Sequence, residues 1–336
     1  MVQTNLAHYL EPYVNKSGWL MPLSDERGRP MANNGDILMR SVLHDICRQQ
    51  NVQLTGNPEH DFDFVAIPPN GALLDRFKAP DLITKELKRY TRKPLLIFPS
   101  SAQFLKQNPA RMFDNRQAPT LWILREPYSM EHLERDWGNA LRDVGVTLAL
   151  DHDVVISGAE HVPRYIPNAQ AGGIRGRSLL VGRLGVEARD IRNEMTTVDS
   201  YENRAGSNFK RMIVTGARSL PPRALRPLRR ISTFQRVNRA NRELLDAAPS
   251  DIRSKFTHLD RIWGTDLSDT SLVNFEQFCR RIGDANLVLT NRLHVAIPSA
   301  LLGKETVLVD SGYHKLKGIF EHSLSDLDNV RFIARS

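Results

Sequence analysis

The stretch LVLTNRLHVAIPSALLGKETVLVDSGYHKLKGIF, Leu287 to Phe320, decides the architecture of this chain. It reads as a strand at Leu287–Thr290, a turn, a helix over Val295–Leu302 and a glycine stop at Gly303. A second strand at Thr306–Asp310 and a basic turn with Lys315 and Lys317 follow. In a β–α–β unit the carboxyl end of the first strand opens onto the crevice where α/β proteins bind ligands. Arg292 and His294 fall there, at the start of the helix, where unsatisfied N–H groups and the helix dipole favour an anion. An arginine and a titratable imidazole on one such turn point to an anionic substrate that needs a proton. The competing reading makes Arg292 a partner of a surface carboxylate and His294 a packed polar residue.

Outward from this unit the same alternation continues. Apolar strand-like runs occur at Phe62–Ile67, Pro94–Phe98, Leu121–Leu124, Val146–Leu150, Val154–Ser157, Leu179–Val181 and Met212–Thr215, and Asn329–Ala334 is strand-like too. Helical patterns lie between them at Asp36–Gln50, Pro80–Tyr90, Ser129–Val144 and Leu272–Ile282. Short strands alternating with helices imply βαβ units and parallel sheets. A chain of 336 residues exceeds the usual size of a single core. The pattern therefore predicts an α/β protein of two Rossmann-like domains facing across a cleft. The Gly/Pro-containing stretch from Val162 to Arg177 and the polar stretch after Arg189 mark the joint, giving domains 1–188 and 189–336.

Composition narrows the class. Hydrophobic content of 41% and charged content of 25% are ordinary for a globular chain. No window holds 18 uninterrupted apolar residues and the first thirty lack a signal-peptide pattern, so neither a membrane span nor a leader is expected. The two cysteines, Cys47 and Cys279, read as buried free thiols of a reducing compartment. With no CxxC or HExxH, no metal is expected. The net charge of +8 comes from arginine, and ten arginines with Lys210 lie between Arg204 and Arg242 without one Asp or Glu. Several recur at helical spacing and would build a basic face. Three uses compete: a solvated face, nucleic-acid binding, and an anionic membrane or pyrophosphate-bearing acceptor. Phe234 is the one aromatic among the closely spaced arginines from Arg223 to Arg242, which disfavours base stacking.

TNRLH, LLGK and GYHKLKG, with the strand ending at Asp310, resemble the C-terminal signature of the polysaccharide pyruvyl transferases. Four further stretches resemble motifs of that family in the same order: NNGDILMRSVLHDI (33–46), PLLIFPSSAQF (94–104), REPYSMEHL (125–133) and LLVGRLGVE (179–187). Two departures stand out. FVAIPPNGALLD (64–75) keeps only Gly71 where the family has a glycine-rich turn, and Ser100 replaces a glutamine.

The resemblance implies a fold like that of glycosyltransferase-B enzymes, with the acceptor on the N-terminal side and the donor on the C-terminal side. It implies transfer of pyruvate from phosphoenolpyruvate to a saccharide, in exopolysaccharide biosynthesis, as a cyclic ketal. Arg125, Arg183, Arg292 and Lys315 would hold phosphoenolpyruvate, since a planar guanidinium bonds two oxygens of a phosphate or carboxylate at once. His294 would be the general acid or the donor to the departing phosphate. Asp36 is the first choice of base, although an Asp at a helix start commonly caps it; Asn34 and Gly35 shape that turn on the acceptor side. Asp151, Asp153 and Asp310 are further carboxylates after strands. No cofactor is implied. The partners would be phosphoenolpyruvate, a lipid-linked saccharide and an anionic membrane surface, with no nucleic acid. The place would be the cytoplasm, peripheral at the inner membrane face. A nucleotide-sugar glycosyltransferase shares the fold, and a basic adaptor binding nucleic acid or membrane is the non-catalytic alternative.

Overall fold

The computed structural model describes residues 3–23, 33–75, 77–167, 177–182, 237–256, 262–264, 266–312 and 314–334. Among these, seven strands form one parallel sheet: β1 (Ser17–Leu20), β2 (Gln53–Thr55), β3 (Phe64–Ile67), β4 (Asn70–Leu74), β5 (Leu95–Gln103), β6 (Thr120–Leu124) and β7 (Val146–Leu150). Their order is β2-β1-β3-β5-β6-β7, with β4 continuing beside the end of β5. Five more strands form a second parallel sheet: β8 (Arg177–Val181), β9 (Ile262–Gly264), β10 (Ala285–Thr290), β11 (Glu305–Val309) and β12 (Val330–Ile333). Its order is β12-β11-β10-β8-β9. The expected α/β class with parallel sheets is what the chain adopts.

Each sheet is buried on both faces, and side-chain alternation shows how. Leu96 and Phe98 of β5 and Ile123 of β6 point into one core, Leu95, Ile97, Trp122 and Leu124 into another. In the second sheet, Leu179, Val181 and Val288 face the first of these cores, while Leu180, Leu287 and Leu289 face a third. One hydrophobic core therefore runs between the two sheets. The helix Asn34–Gln49 contributes Leu38, Val42 and Ile46 to it, and the helix Leu293–Leu301 contributes Val295 and Ile297.

The local signals account for these elements. Asn33 and Asp36 form a capping box, the Asn33 side chain accepting from the Gly35 and Asp36 amides while Asp36 accepts from the Asn33 amide. Gly303 takes φ +72° after the Leu293–Leu301 helix, the left-handed geometry in which glycine carries no steric penalty. Cys47 and Cys279 are buried and unbridged, and burial pushes both thiols up to about 12.

Two expectations are corrected. Val154–Ser157 is a short helix, started by Asp153, whose Oδ1 accepts from the Val155 amide at 3.1 Å. A four-residue apolar run carries no period long enough to separate strand from helix, and here the cap decides. Strand β8 lies in the second sheet beside β10, so the change of sheet precedes residue 177 instead of falling at 188. The expected strand at Met212–Thr215 and most of the 204–242 arginine run lie outside the described residues. Within that run, residues 237–242 are helical, and Arg239 pairs with Glu243 at 3.2 Å.

A stacked histidine pair joins the end of the first sheet to the segment before β12. The rings of His152 and His322 lie 4.2 Å apart at 10°, and His152 Nδ1 meets Ser323 Oγ at 2.7 Å. Burial first, then the charge of His322, lowers the pKa of His152 to about 4, and burial lowers that of His322. The unfolded chain, with histidines near about 6.5, binds more protons between those values, so stability declines as pH falls through that window. Urea midpoints measured from about pH 7 to about pH 4.5 should drop in the native protein. The same profile should be flatter in His152→Asn.

Candidate active site

A cavity of about 330 Å³ opens at the carboxyl ends of the strands of both sheets. This is the usual place and size for a small-molecule site in an α/β protein. Pro68, Pro69, Asn70 and Gly71 reach it after β3, Arg125 after β6, Asn291, Arg292 and His294 after β10, and Lys315 after β11. Asn33, Asp36 and Arg40 line it from the first turns of the Asn34–Gln49 helix.

Arg125 is fully buried. Its Nη1 donates to Asp153 Oδ2 at 2.6 Å and its Nε to Ser101 Oγ at 2.9 Å. Its Nη2 is buried without a hydrogen-bond partner among the described residues. A β-carbon on Gly71 would lie 2.8 Å from that Nη2 and 2.7 Å from Lys315 Nζ. The single glycine left from the expected glycine-rich turn is therefore where two cations converge. Lys315 is directed there because Gly318 lets the helix His314–Ile319 lie against Glu126 and Tyr128. A β-carbon on Gly318 would come within 2.9 Å of the Tyr128 ring and 3.0 Å of Glu126 Oε2.

His294 sits in the first turn of the Leu293–Leu301 helix, and its Nε2 meets Asp153 Oδ2 at 3.2 Å. Asp153 thus lies between Arg125 and His294, fully buried. Burial alone would raise its pKa. The charge and hydrogen bond of His294, with Arg125, outweigh burial and hold the carboxyl well below its usual range. Its ionised form is therefore the favoured one. The edge of His294 that carries Nδ1 faces the Asn34–Gln49 helix, since a β-carbon on Gly35 would lie 3.0 Å from Nδ1 and 2.6 Å from the His294 β-carbon. Gly35 is required for this approach of two helix N-termini.

The other expected residues fall as follows. Arg292 lines the cavity, but its Nε donates to Asp266 Oδ1 at 3.1 Å and its Nη2 to Asp266 Oδ2. One edge of its fork is used by a carboxylate that is itself buried. Asp36 lines the cavity with one oxygen spent on the capping box. Asn34 is buried, its Nδ2 donating to the carbonyls of Leu267 and Val273 at 2.7 and 2.8 Å. It ties the Asn34–Gln49 helix to the segment before the second sheet's last strands and does not line the cavity. Asp151 receives the Asn5 amide, and Asp310 the Gly312 amide. Ser100 accepts from Trp122 Nε1 at 2.9 Å in the core. Arg183 lies outside the described residues. Asp153 was expected only as one of three further carboxylates after strands, and Asp266, Ser101 and Arg40 had no assigned role in the sequence reading. Recognising Asp153 as a helix cap after β7 would have singled it out.

Residues 198–313 match the family model described as polysaccharide pyruvyl transferase. The match spans about a third of the chain and includes Asp266, Arg292 and His294. A comparison with curated proteins finds no match. Among solved structures, the chain is similar to a functionally uncharacterised protein of Klebsiella pneumoniae subsp. pneumoniae NTUH-K2044. The TM-score is 0.53 at 14% identity, over 100% of both chains. That likeness concerns the fold.

Asn34 is the residue most open to a stability test. Truncation in Asn34→Ala strands two buried carbonyls, a loss of about 1–3 kcal/mol. A lower urea midpoint with an unchanged slope is expected, and an unchanged midpoint would show that the loop is held by other contacts.

Proposed function

We propose that the chain transfers pyruvate from phosphoenolpyruvate to a saccharide, forming a cyclic ketal. The observation that carries this reading is the pairing, in one cavity, of a titratable His294 with the two cationic groups that converge at Gly71. The family match over residues 198–313 supports it. Two β–α–β halves meeting at the cavity also suit the two-domain, glycosyltransferase-B-like arrangement, with the acceptor entering from the side of Asp36.

In this reading the donor's carboxylate and phosphate lie among Arg125, Lys315, Arg292 and Arg40. Their charges draw the trianionic donor in. His294 gives its proton to the methylene carbon, leaving an oxocarbenium-like centre at the adjacent carbon. A sugar hydroxyl adds there, the bond from that carbon to the phosphate oxygen breaks, and a second hydroxyl closes the ring. Of the two hydroxyl protons, one restores His294 and the other departs with phosphate. Asp36, which lines the cavity, would take the first. No cofactor enters the reaction.

The ten arginines between Arg204 and Arg242 support presentation of a lipid-linked acceptor at an anionic membrane face, on the cytoplasmic side. Among the described residues no helix is long and apolar enough to cross a membrane, so attachment would be peripheral.

His294→Ala should keep the fold and lower turnover roughly 10²- to 10⁴-fold, measured as phosphate released in the presence of acceptor. In a thermal-shift comparison, phosphoenolpyruvate at about 100 times Kd should stabilise the native protein by about 2.7 kcal/mol. Stabilisation by a nucleotide sugar instead would replace this reading with glycosyl transfer.

A further inference from the structure

We propose that Asp153 is a positioning residue that holds His294 by Nε2, so that the working proton is exchanged at Nδ1. The inference rests on the reading of the cavity given above but concerns an atom and a residue which that reading leaves open. Asp153 Oδ2 faces Arg125 Nη1 at 2.6 Å and His294 Nε2 at 3.2 Å, and Oδ1 accepts from the Val155 amide. Every approach to this buried carboxylate is made by a donor. An ionised carboxylate is an acceptor only, so the imidazole must present Nε2–H to it. In the neutral ring the lone pair is then on Nδ1, and in the imidazolium Nδ1–H is the proton left to give.

The surroundings of Nδ1 agree with that role. Among the described residues it has no hydrogen-bond partner. It lies beside Gly35, whose neighbours Asn33 and Asp36 both line the cavity. The charged groups around the ring are Asp153 behind it, Arg125 beyond Asp153, Asp36 and Arg40 on the facing helix, Arg292 on its own turn with its partner Asp266 from the segment before β10, and Lys315 across the cavity. Asp153 is the one carboxylate of this set in contact with the ring. Its contact with Arg125 leaves Nη2 of that arginine directed at Gly71.

The test uses the full chain labelled with ¹⁵N-histidine, in native, His294→Gln and Asp153→Asn forms. Of the ten histidines, the resonance missing in His294→Gln belongs to His294. Long-range ¹H–¹⁵N correlation at high pH should show the native ring with hydrogen on Nε2. Hydrogen on Nδ1 would overturn the proposal, and this result needs no variant other than the one used for assignment. Asp153→Asn removes the charge with little change of shape. With the carboxylate gone, the preference for hydrogen on Nε2 should be lost, and kcat should fall roughly 10²-fold with a smaller effect on KM. An unchanged tautomer and an unchanged kcat in folded Asp153→Asn would also overturn the proposal. If the native protein shows the Nε2–H tautomer but no pyruvyl transfer, the positioning stands and the reaction class fails.

Discussion

The buried ion pair between Arg125 and Asp153 is the constraint on which the site depends. Both side chains are fully buried, 2.6 Å apart, so neither can be discharged into water. Removing one partner of such a pair generally costs about 3–5 kcal/mol, because the other is left buried and uncompensated. Its geometry is set by the first sheet, Arg125 following β6 and Asp153 following the adjacent β7. The single interaction then reaches the second sheet, because Asp153 Oδ2 also meets His294 in the turn after β10. The continuous core beneath, from Leu96 and Ile123 to Val288 and Ile297, keeps the two sheets at the separation this contact requires.

Elements whose cause is local were legible in the sequence. The strand–turn–helix run through Arg292 and His294 was readable because strand, turn and glycine stop all lie within about twenty residues. The helix expected from Asp36 starts two residues earlier, at Asn34, because Asn33 and Asp36 cap each other over three residues. What escaped the reading has a cause distant in sequence. Asp153 meets Arg125 across 28 positions and His294 across 141, and nothing in its neighbours announces either partner. Asp266 and Arg292 are 26 apart, so the expected cation in the cavity carries a carboxylate on one edge that local reasoning did not supply. The surface-pair alternative for Arg292 was half right: a carboxylate is present, but a buried one.

Gly71 illustrates the same limit from the opposite direction. As a remnant of a motif it looked like a loss, because one glycine cannot form a backbone cradle for phosphate. In the folded chain its missing side chain is what leaves space between Arg125 Nη2 and Lys315 Nζ. Sequence shows which residue lacks a β-carbon; only the fold shows what that gap accommodates.

The choice of arginine at position 125 follows from this arrangement. A lysine there could neutralise Asp153, but its three donors radiate from one nitrogen and would be gathered at that carboxylate. The guanidinium spreads its donors over three nitrogens in a rigid plane. Nη1 serves Asp153, Nε serves Ser101, and Nη2 is held near Gly71 by the other two bonds. The same plane couples the two ends of the site. Asp153 is thus the one buried carboxylate that contacts both the imidazole of His294 and the guanidinium whose Nη2 lies near Gly71.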